Sequence, residues 1–272
     1  MTTNGPAAPD VLQRNNVRVS GDPDARVMMF AHGFGCSQET WGLVAPQFES
    51  DHRVVLFDYI GAGGSDRAAY RRGRYASLDG YATDVLEILE ALDASDVVFV
   101  GHSVSAMVGV LAANRAPERF GALVLIGPSP RYTNDGDYRG GFEPADIDAL
   151  LDSLDANFVE WSHATAPLIM GTPDRPELGD RLTESFCRYD PSIARDFARV
   201  TFLSDNRDDL SEVSCSTLVL QCRADMIAPT DVGDFVHAAI RGSRLRVLNA
   251  TGHVPILSAA AEVVTEIRQF LE

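Results

Sequence analysis

The sequence lacks any run of about 18 apolar residues, the length that a membrane-spanning helix needs, so we expect no membrane attachment. The stretch from Met1 to Pro9 is polar and lacks the apolar core of a signal peptide. We therefore expect a cytoplasmic protein.

Positive charge is also scarce. The 272 residues include 23 Lys and Arg against 39 Asp and Glu, which gives a formal net charge of −16. The one dense basic run, Arg71-Arg72-Gly73-Arg74, is too short to line a groove for phosphates. The composition therefore argues against a nucleic-acid partner, and the acidity is typical of a soluble protein.

Metal and cofactor motifs are missing as well. The four cysteines form no CxxC pair and have no metal-ligand spacing with histidine. The loop Gly61-Ala62-Gly63-Gly64 lacks the lysine of a phosphate loop and does not complete a GxGxxG pattern, so we interpret it as a turn near the site. We expect neither a metal nor a cofactor.

What the sequence does contain is an alternation of short apolar runs and helical patterns, which is typical of a parallel sheet with crossover helices. Hydrophobic residues make up 45% of the chain, enough for a substantial core. Helical spacing is clear over 78–92 and about 105–115. The predicted strands are 27–31, 53–57, 97–100, 122–126, 217–221 and 245–248.

The pattern changes between about 130 and 205, where helical stretches interrupted by prolines replace the strands. Glu143-Pro144 is typical of a helix start, because proline is tolerated in the first turn. An all-helical insertion in a parallel sheet favours a lid above the strand ends. We therefore predict an α/β core of 1–128 and 206–272 with a helical lid of 129–205.

The motif with the clearest chemistry is Gly101-His102-Ser103-Val104-Ser105, between a predicted strand and a predicted helix. A sharp strand-to-helix turn of this kind raises a serine hydroxyl above the sheet as a nucleophile. It requires small residues two positions before and after the serine. Gly101 meets that requirement, whereas Ser105 stands where the strict pattern has glycine.

A serine needs a base, and on this kind of fold the order along the chain is serine, acid, histidine. Asp225 and His253 follow the predicted strands 217–221 and 245–248, so we predict them as the acid and the base. Asp231 is the alternative acid. The other histidines fit the role of base less well, since His102 is expected to point away from the serine; they are His32, His52, His102, His163 and His237.

An oxyanion hole completes this chemistry with backbone N–H groups that face the developing charge. One donor is predicted to be the amide of Val104, directly after the serine. The other is predicted in the glycine-rich loop His32-Gly33-Phe34-Gly35, most readily the amide of Phe34.

Several longer stretches resemble the RsbQ-like α/β-hydrolases, bacterial stress-response regulators related to the plant strigolactone and karrikin receptors. The resemblance runs from about Asn15 to the C-terminus. It implies an α/β-hydrolase fold with a V-shaped, four-helix lid, and a triad at Ser103, Asp225 and His253. The similar stretches are 31–36, 101–107, 129–135, 138–143 and 166–168.

The resemblance also implies an aromatic pocket for a small hydrophobic ligand, formed by Phe34, Tyr132, Trp161 and Phe202. At Thr165 the plant receptors tend to carry an aromatic residue, and His163 nearby adds polarity, so ligand preference is not transferable from the plants. For each aromatic residue, ordinary core packing remains the alternative.

Three hypotheses follow. The first is a serine hydrolase for a small hydrophobic ester or lactone, working slowly if it resembles this family. The second, implied by the resemblance, is a ligand-sensing regulator that acts through a partner, in RsbQ a PAS-containing PP2C-type phosphatase. The third is a hydrolase-fold protein without turnover.

Overall fold

A seven-stranded sheet organises the protein, which we describe from a computed structural model of residues 10–272. The polar stretch Met1 to Pro9, which we expected to carry no signal peptide, lies outside the described residues. The strand order is β1-β3-β2-β4-β5-β6-β7. The strands are β1 (Arg18–Gly21), β2 (Val27–Ala31), β3 (Arg53–Leu56), β4 (Val97–His102), β5 (Phe120–Ile126), β6 (Ser216–Ala224) and β7 (Arg244–Thr251).

Helices connect the strands, as crossover connections between parallel strands require. Among the described residues, none is long and apolar enough to cross a membrane. The helices are α1 (Val11–Arg14), α2 (Leu78–Ala91), α3 (Val104–Arg115), α4 (Pro144–Ala156), α5 (Phe158–Met170), α6 (Pro176–Cys187), α7 (Pro191–Phe202), α8 (Thr230–Ala239), α9 (Pro255–Ser258) and α10 (Ala260–Leu271).

The predicted mostly parallel sheet is confirmed. Strands β2 to β7 all pair in parallel, with β2, β4 and β5 almost entirely buried. Register brings Ala31 opposite Gly101, His102 opposite Ile126, and Ala224 opposite Thr251. Because parallel strands share one carboxyl edge, the loops after β2, β4, β6 and β7 all open there.

Strand ends differ from the sequence prediction by up to three residues. β4 continues to His102 rather than ending at Val100, and α3 begins at Val104. β6 and β7 continue to Ala224 and Thr251, where the apolar runs have already ended. Backbone hydrogen bonds hold these polar strand ends in the sheet. A prediction from side-chain hydrophobicity does not detect such bonds, so it ended the strands too early.

Strand β1 was not predicted from the sequence. It pairs antiparallel with β3 at the edge of the sheet, and all four of its residues are exposed. An exposed edge strand has no buried face, so its sequence lacks the alternation of apolar and polar residues by which half-buried strands are predicted.

The region that we predicted as an all-helical insertion holds α4 to α7, between β5 and β6. Pro144, Pro176 and Pro191 each begin a helix, where a missing N–H costs nothing. Pro167, one of the prolines that we expected to interrupt the helices, instead lies inside α5. That helix ends at Met170 and is capped by Gly171 in the left-handed conformation.

Candidate active site

The turn between β4 and α3 holds Ser103 in a strained backbone conformation, with φ 58° and ψ −126°. Such a conformation costs about 1–3 kcal/mol and persists only where the surroundings enforce it. The crossing of strand and helix is tight, because a Cβ on Gly101 would lie 2.4 Å from the carbonyl oxygen of Ser105. Glycine is therefore required at 101, and the serine side chain is raised above the sheet.

Ser105, which departs from the strict motif, has a structural role of its own. Its hydroxyl is fully buried and donates to the carbonyl oxygen of His32, at the start of the glycine-rich loop. The hydroxyl of Tyr59 lies 2.9 Å away and donates to Ser105 in turn. The Ser105 hydroxyl therefore links the strand-to-helix turn at Ser103 to the loop that carries the predicted oxyanion amide of Phe34.

The structure brings the three predicted triad side chains into one hydrogen-bonded chain. Nε2 of His253 lies 2.7 Å from Oγ of Ser103, and Nδ1 of His253 lies 2.7 Å from Oδ2 of Asp225. The side chains of His253 and Asp225 are 6% and 0% exposed. This geometry allows a proton to pass from the serine to the imidazole while the carboxylate orients the ring.

Several groups hold Asp225 in its ionised form. Burial by itself would raise the pKa of Asp225, but the neighbouring His253 and two backbone N–H donors lower it overall. Those donors are the amides of Ile227 and Ala228, at 2.8 and 3.2 Å from Oδ1. The alternative acid, Asp231, is exposed in the first turn of α8.

The loop after β2 packs against helices α5, α6 and α7 through Phe34. The amide of Cys36 closes the turn on the carbonyl of Gly33, and Gly35 has φ +76°. The amides of Phe34 and Val104 donate no hydrogen bond to another described residue. Both predicted oxyanion donors are therefore available to a substrate oxygen.

Aromatic rings from α5, α6, α7 and the connection between α6 and α7 surround Phe34. Its ring centroid lies 5.5 to 6.3 Å from those of five neighbours. These neighbours are Trp161, Phe186, Tyr189, Phe197 and Phe202.

The space left beside the serine is small, with a cavity of about 30 Å³. A larger open groove of about 430 Å³, between α2, α3 and α7, contains none of the predicted site residues. The cavity lining consists of Phe34, Cys36, His102, Ser103, Ile169, Leu182, Phe186, Ile227, His253 and Val254.

The pocket residues implied by the resemblance differ in how deeply they are buried. Trp161 and Phe202 are buried within the aromatic cluster, and the ring of Tyr132 packs 5.0 Å from that of Phe202. Thr165 is half-buried on α5. His163 is exposed, so the expectation that it lines the pocket was wrong. The reason is that two residues along a helix correspond to a rotation of about 200°, so His163 points away from the side of α5 that carries Trp161.

Tyr132 carries a buried hydroxyl without a hydrogen-bond partner among the described residues. Burial raises the pKa of Tyr132, so the hydroxyl stays protonated and can act as a donor. The side chain of Ser103 is near enough to lower that pKa in part, so the Tyr132 hydroxyl lies beside the proposed nucleophile and can donate to a polar atom of a ligand bound there.

Sequence reasoning missed most of the cavity lining. Helix α6 contributes Leu182 and Phe186, which are four residues apart on one of its faces. That spacing was a detectable signal of an apolar face, although it does not say which cavity the face covers. Ile227 and Val254 lie directly beside the acid and the base, in loops where no periodicity exists.

His102 does not point away from the site as we expected. It lines the cavity, and its Nε2 lies 2.7 Å from the backbone carbonyl oxygen of His253. Cys36 lines the cavity too, but burial raises the pKa of its thiol to about 12, which makes it a poor competitor of Ser103. Within residues 10–272, no cluster of His, Cys, Asp and Glu side chains could hold a metal ion.

Comparisons with known proteins agree with this architecture. A profile of the alpha/beta hydrolase family matches residues 28–266. Strigolactone esterase D14 of Arabidopsis thaliana is 38% identical over 96% of this chain and 98% of its own length. Karrikin insensitive 2 receptor CA of Petunia hybrida is 36% identical, over 93% of this chain and 94% of its own.

Among solved structures, olei00960, a hydrolase from Oleispira antarctica, superposes with a TM-score of 0.93. It is 38% identical, and the match covers 96% of both chains. The predicted α/β-hydrolase fold and the predicted kinship with the plant receptors are thereby confirmed.

Proposed function

We propose that this chain, which belongs to the alpha/beta hydrolase family and is a hydrolase, cleaves small hydrophobic esters or lactones through Ser103, His253 and Asp225. The observation that carries the proposal is the unbroken hydrogen-bonded chain from the Ser103 hydroxyl through the His253 imidazole to the Asp225 carboxylate. The names of esterase relatives support the same reaction class.

The reaction follows from this geometry. Nε2 of His253 takes the Ser103 proton as Oγ bonds to the carbonyl carbon, and the carbonyl electron pair moves to the oxygen, facing the amides of Phe34 and Val104. The intermediate then expels the alkoxide, which takes the proton from Nε2, leaving an acyl-enzyme. Water deprotonated by the same nitrogen attacks the acyl carbon and, after a second intermediate, releases the acid and restores the Ser103 hydroxyl.

A short acyl group suits the site best. The cavity beside Ser103 measures about 30 Å³, and Phe186 and Leu182 of α6 form part of its lining. We propose that residues 129–205 act as a lid, since α5 and α6 supply the lining above the serine. A longer acyl chain then requires the lid to move, at a cost in binding energy.

An activity-based fluorophosphonate probe tests the proposed nucleophile directly. We expect one covalent adduct, on Ser103, because within residues 10–272 only that hydroxyl is hydrogen-bonded to a histidine that an acid orients. Peptide mapping by mass spectrometry locates the adduct. An adduct on another serine, or no adduct on the folded protein, would contradict the proposal.

The size preference is measured with p-nitrophenyl esters of increasing acyl length. We expect kcat/KM to be highest for acetate and to fall at least tenfold by octanoate, about 1.4 kcal/mol at the barrier. Phe186→Ala opens the cavity and should reduce that ratio several-fold. Phe235→Ala, which removes a ring packed on Tyr138 outside the cavity, is the matched control and should keep the wild-type ratio. A flat series for the wild type would contradict a closed acyl pocket.

A second candidate function is a ligand-sensing regulator. Two relatives of similar identity are named as an esterase and as a receptor, so the family supports both roles. In that case the proposed lid would contact a partner protein. The candidate partner is a PAS-containing PP2C-type phosphatase, as for RsbQ-like regulators. Ser103→Ala separates the two roles: retained ligand and partner binding without hydrolysis favours the regulator.

A further inference from the structure

The backbone of His253 is held at both of its polar groups. Its N–H donates to the carbonyl oxygen of Ile169 near the end of α5, at 2.8 Å. Its carbonyl oxygen lies 2.7 Å from Nε2 of His102, at the end of β4. The residue that carries the predicted base is therefore anchored to the lid on one side and to the nucleophile's own strand on the other.

The bond from His102 determines which nitrogen carries the proton. A carbonyl oxygen only accepts hydrogen bonds, so Nε2 of His102 must be the protonated nitrogen. Nδ1 is buried and has no partner among the described residues, as expected for the bare nitrogen of a neutral ring. Burial, helped by the nearby His253, lowers the pKa of His102 to about 3, so the ring stays neutral where the enzyme works.

The ring itself has little room to move. A Cβ on Gly33 would lie 2.9 Å from Nδ1 of His102, so the loop after β2 closes one side of the ring. The ring centroids of His102 and His253 are 5.3 Å apart. His102 is 1% exposed. Neither of its ring nitrogen atoms is hydrogen-bonded to a group that reacts in the proposed mechanism.

We propose that His102 is a positioning residue, whose Nε2–H holds the backbone of His253 so that the imidazole meets Ser103 and Asp225 at once. The inference rests on the proposed function. The loop carrying His253 follows the turn at Gly252, which has φ +80° and packs against the carbonyl of Met170. Without the bond from His102, the loop keeps its bonds to α5 and to Ala224 of β6, but the carbonyl of His253 loses its support from β4. A displacement of about 1 Å can cost about a hundredfold in rate.

Two variants of nearly equal shape isolate the hydrogen bond. His102→Gln keeps an N–H donor at about the reach of Nε2, whereas His102→Met fills similar space without a donor. We expect His102→Met to lower kcat about 10- to 100-fold with little change in KM, and His102→Gln to stay within about fivefold of the wild type.

Spectroscopy supplies readouts that do not depend on turnover. The low-field proton resonance of the His253–Asp225 hydrogen bond should be present in the wild type and His102→Gln and broadened or lost in His102→Met. Nitrogen-15 spectra of the wild type should show His102 as the neutral Nε2–H tautomer from about pH 5 to 9. His237→Gln, which alters a histidine bonded to Ser243 far from the site, is the control.

Each outcome bears on the proposal. Equal kcat and equal resonances for the two variants would overturn it, as would an Nδ1–H tautomer in the wild type. If His102→Met fails to fold while His102→Gln folds, the hydrogen bond serves the stability of the fold, and the proposal of a positioning role is overturned as well. Should Ser103→Ala retain hydrolysis, the proposed function fails instead, whereas the tautomer and the resonance still test how His253 is held.

Discussion

Ser103→Ala is expected to lower kcat/KM for a small ester by about 10⁴- to 10⁶-fold, with the fold intact. The hydroxyl that accepts the acyl group is lost, and the imidazole of His253 has no proton to remove. The residual rate comes from the amides of Phe34 and Val104, which can still orient and polarise a carbonyl. Steady-state kinetics with p-nitrophenyl acetate, together with a thermal melt, measures both parts of this result.

Ser162→Ala is the matched control for that substitution. Ser162 is also a buried serine, but its hydroxyl donates only to the carbonyl of Phe158 within α5. Its loss should leave kcat/KM within about twofold, because a hydroxyl bonded to its own helix contributes little to the site. Hydrolysis at the wild-type rate by Ser103→Ala would rule out Ser103 as the nucleophile.

Asp225→Asn should lower kcat by about 10⁴-fold. An amide in place of the carboxylate can donate to Nδ1 of His253, which favours the tautomer with the proton on Nε2. That nitrogen then faces Ser103 as a donor and cannot take its proton. Asp231→Asn, which alters the exposed alternative acid in the first turn of α8, should keep kcat within about twofold. A large loss in Asp231→Asn, with Asp225→Asn unaffected, would reverse the assignment of the acid.

The same substitution has a pH-dependent effect on stability. The pKa of Asp225 is lower in the folded protein than its ordinary value of about 3.9, so ionisation of this carboxyl favours the folded state. That contribution is complete above the unfolded-state pKa and is lost as the pH falls through the lower folded-state pKa. The difference in unfolding free energy between the wild type and Asp225→Asn should therefore shrink below about pH 4, which denaturant titrations at several pH values would measure.

The positions of the three proposed triad residues could be predicted because each one lies within two residues of the carboxyl end of a parallel strand. Strand ends at 102, 224 and 251 differ from the predicted ends, yet the errors did not move Ser103, Asp225 or His253 away from the carboxyl edge of the sheet. The exposed strand β1 was missed because an edge strand without a buried face leaves no alternation in the sequence.

The lining of the cavity could not be predicted in the same way. Phe186 and Tyr189 meet Phe34 only because α6 and the residues after it pack over the loop that follows β2. His163 shows the converse error: its place in the predicted lid, near Thr165, suggested that it lines the pocket, but its position on α5 turns it to solvent. Packing between helices depends on many weak contacts that a single sequence does not rank.

The sequence alone was enough to predict the strand-to-helix turn at Ser103, the chain order of the proposed nucleophile, acid and base, and the parallel α/β architecture. These depend on short-range rules: small residues where a strand crosses a helix, and polar side chains where an apolar strand ends. The tertiary structure alone decided that residues 150 positions apart share a hydrogen bond, how little space remains beside the serine, and that His102 supports the backbone of His253. Those features depend on strand register and on the packing of the lid, which bring together groups that have no relation along the chain.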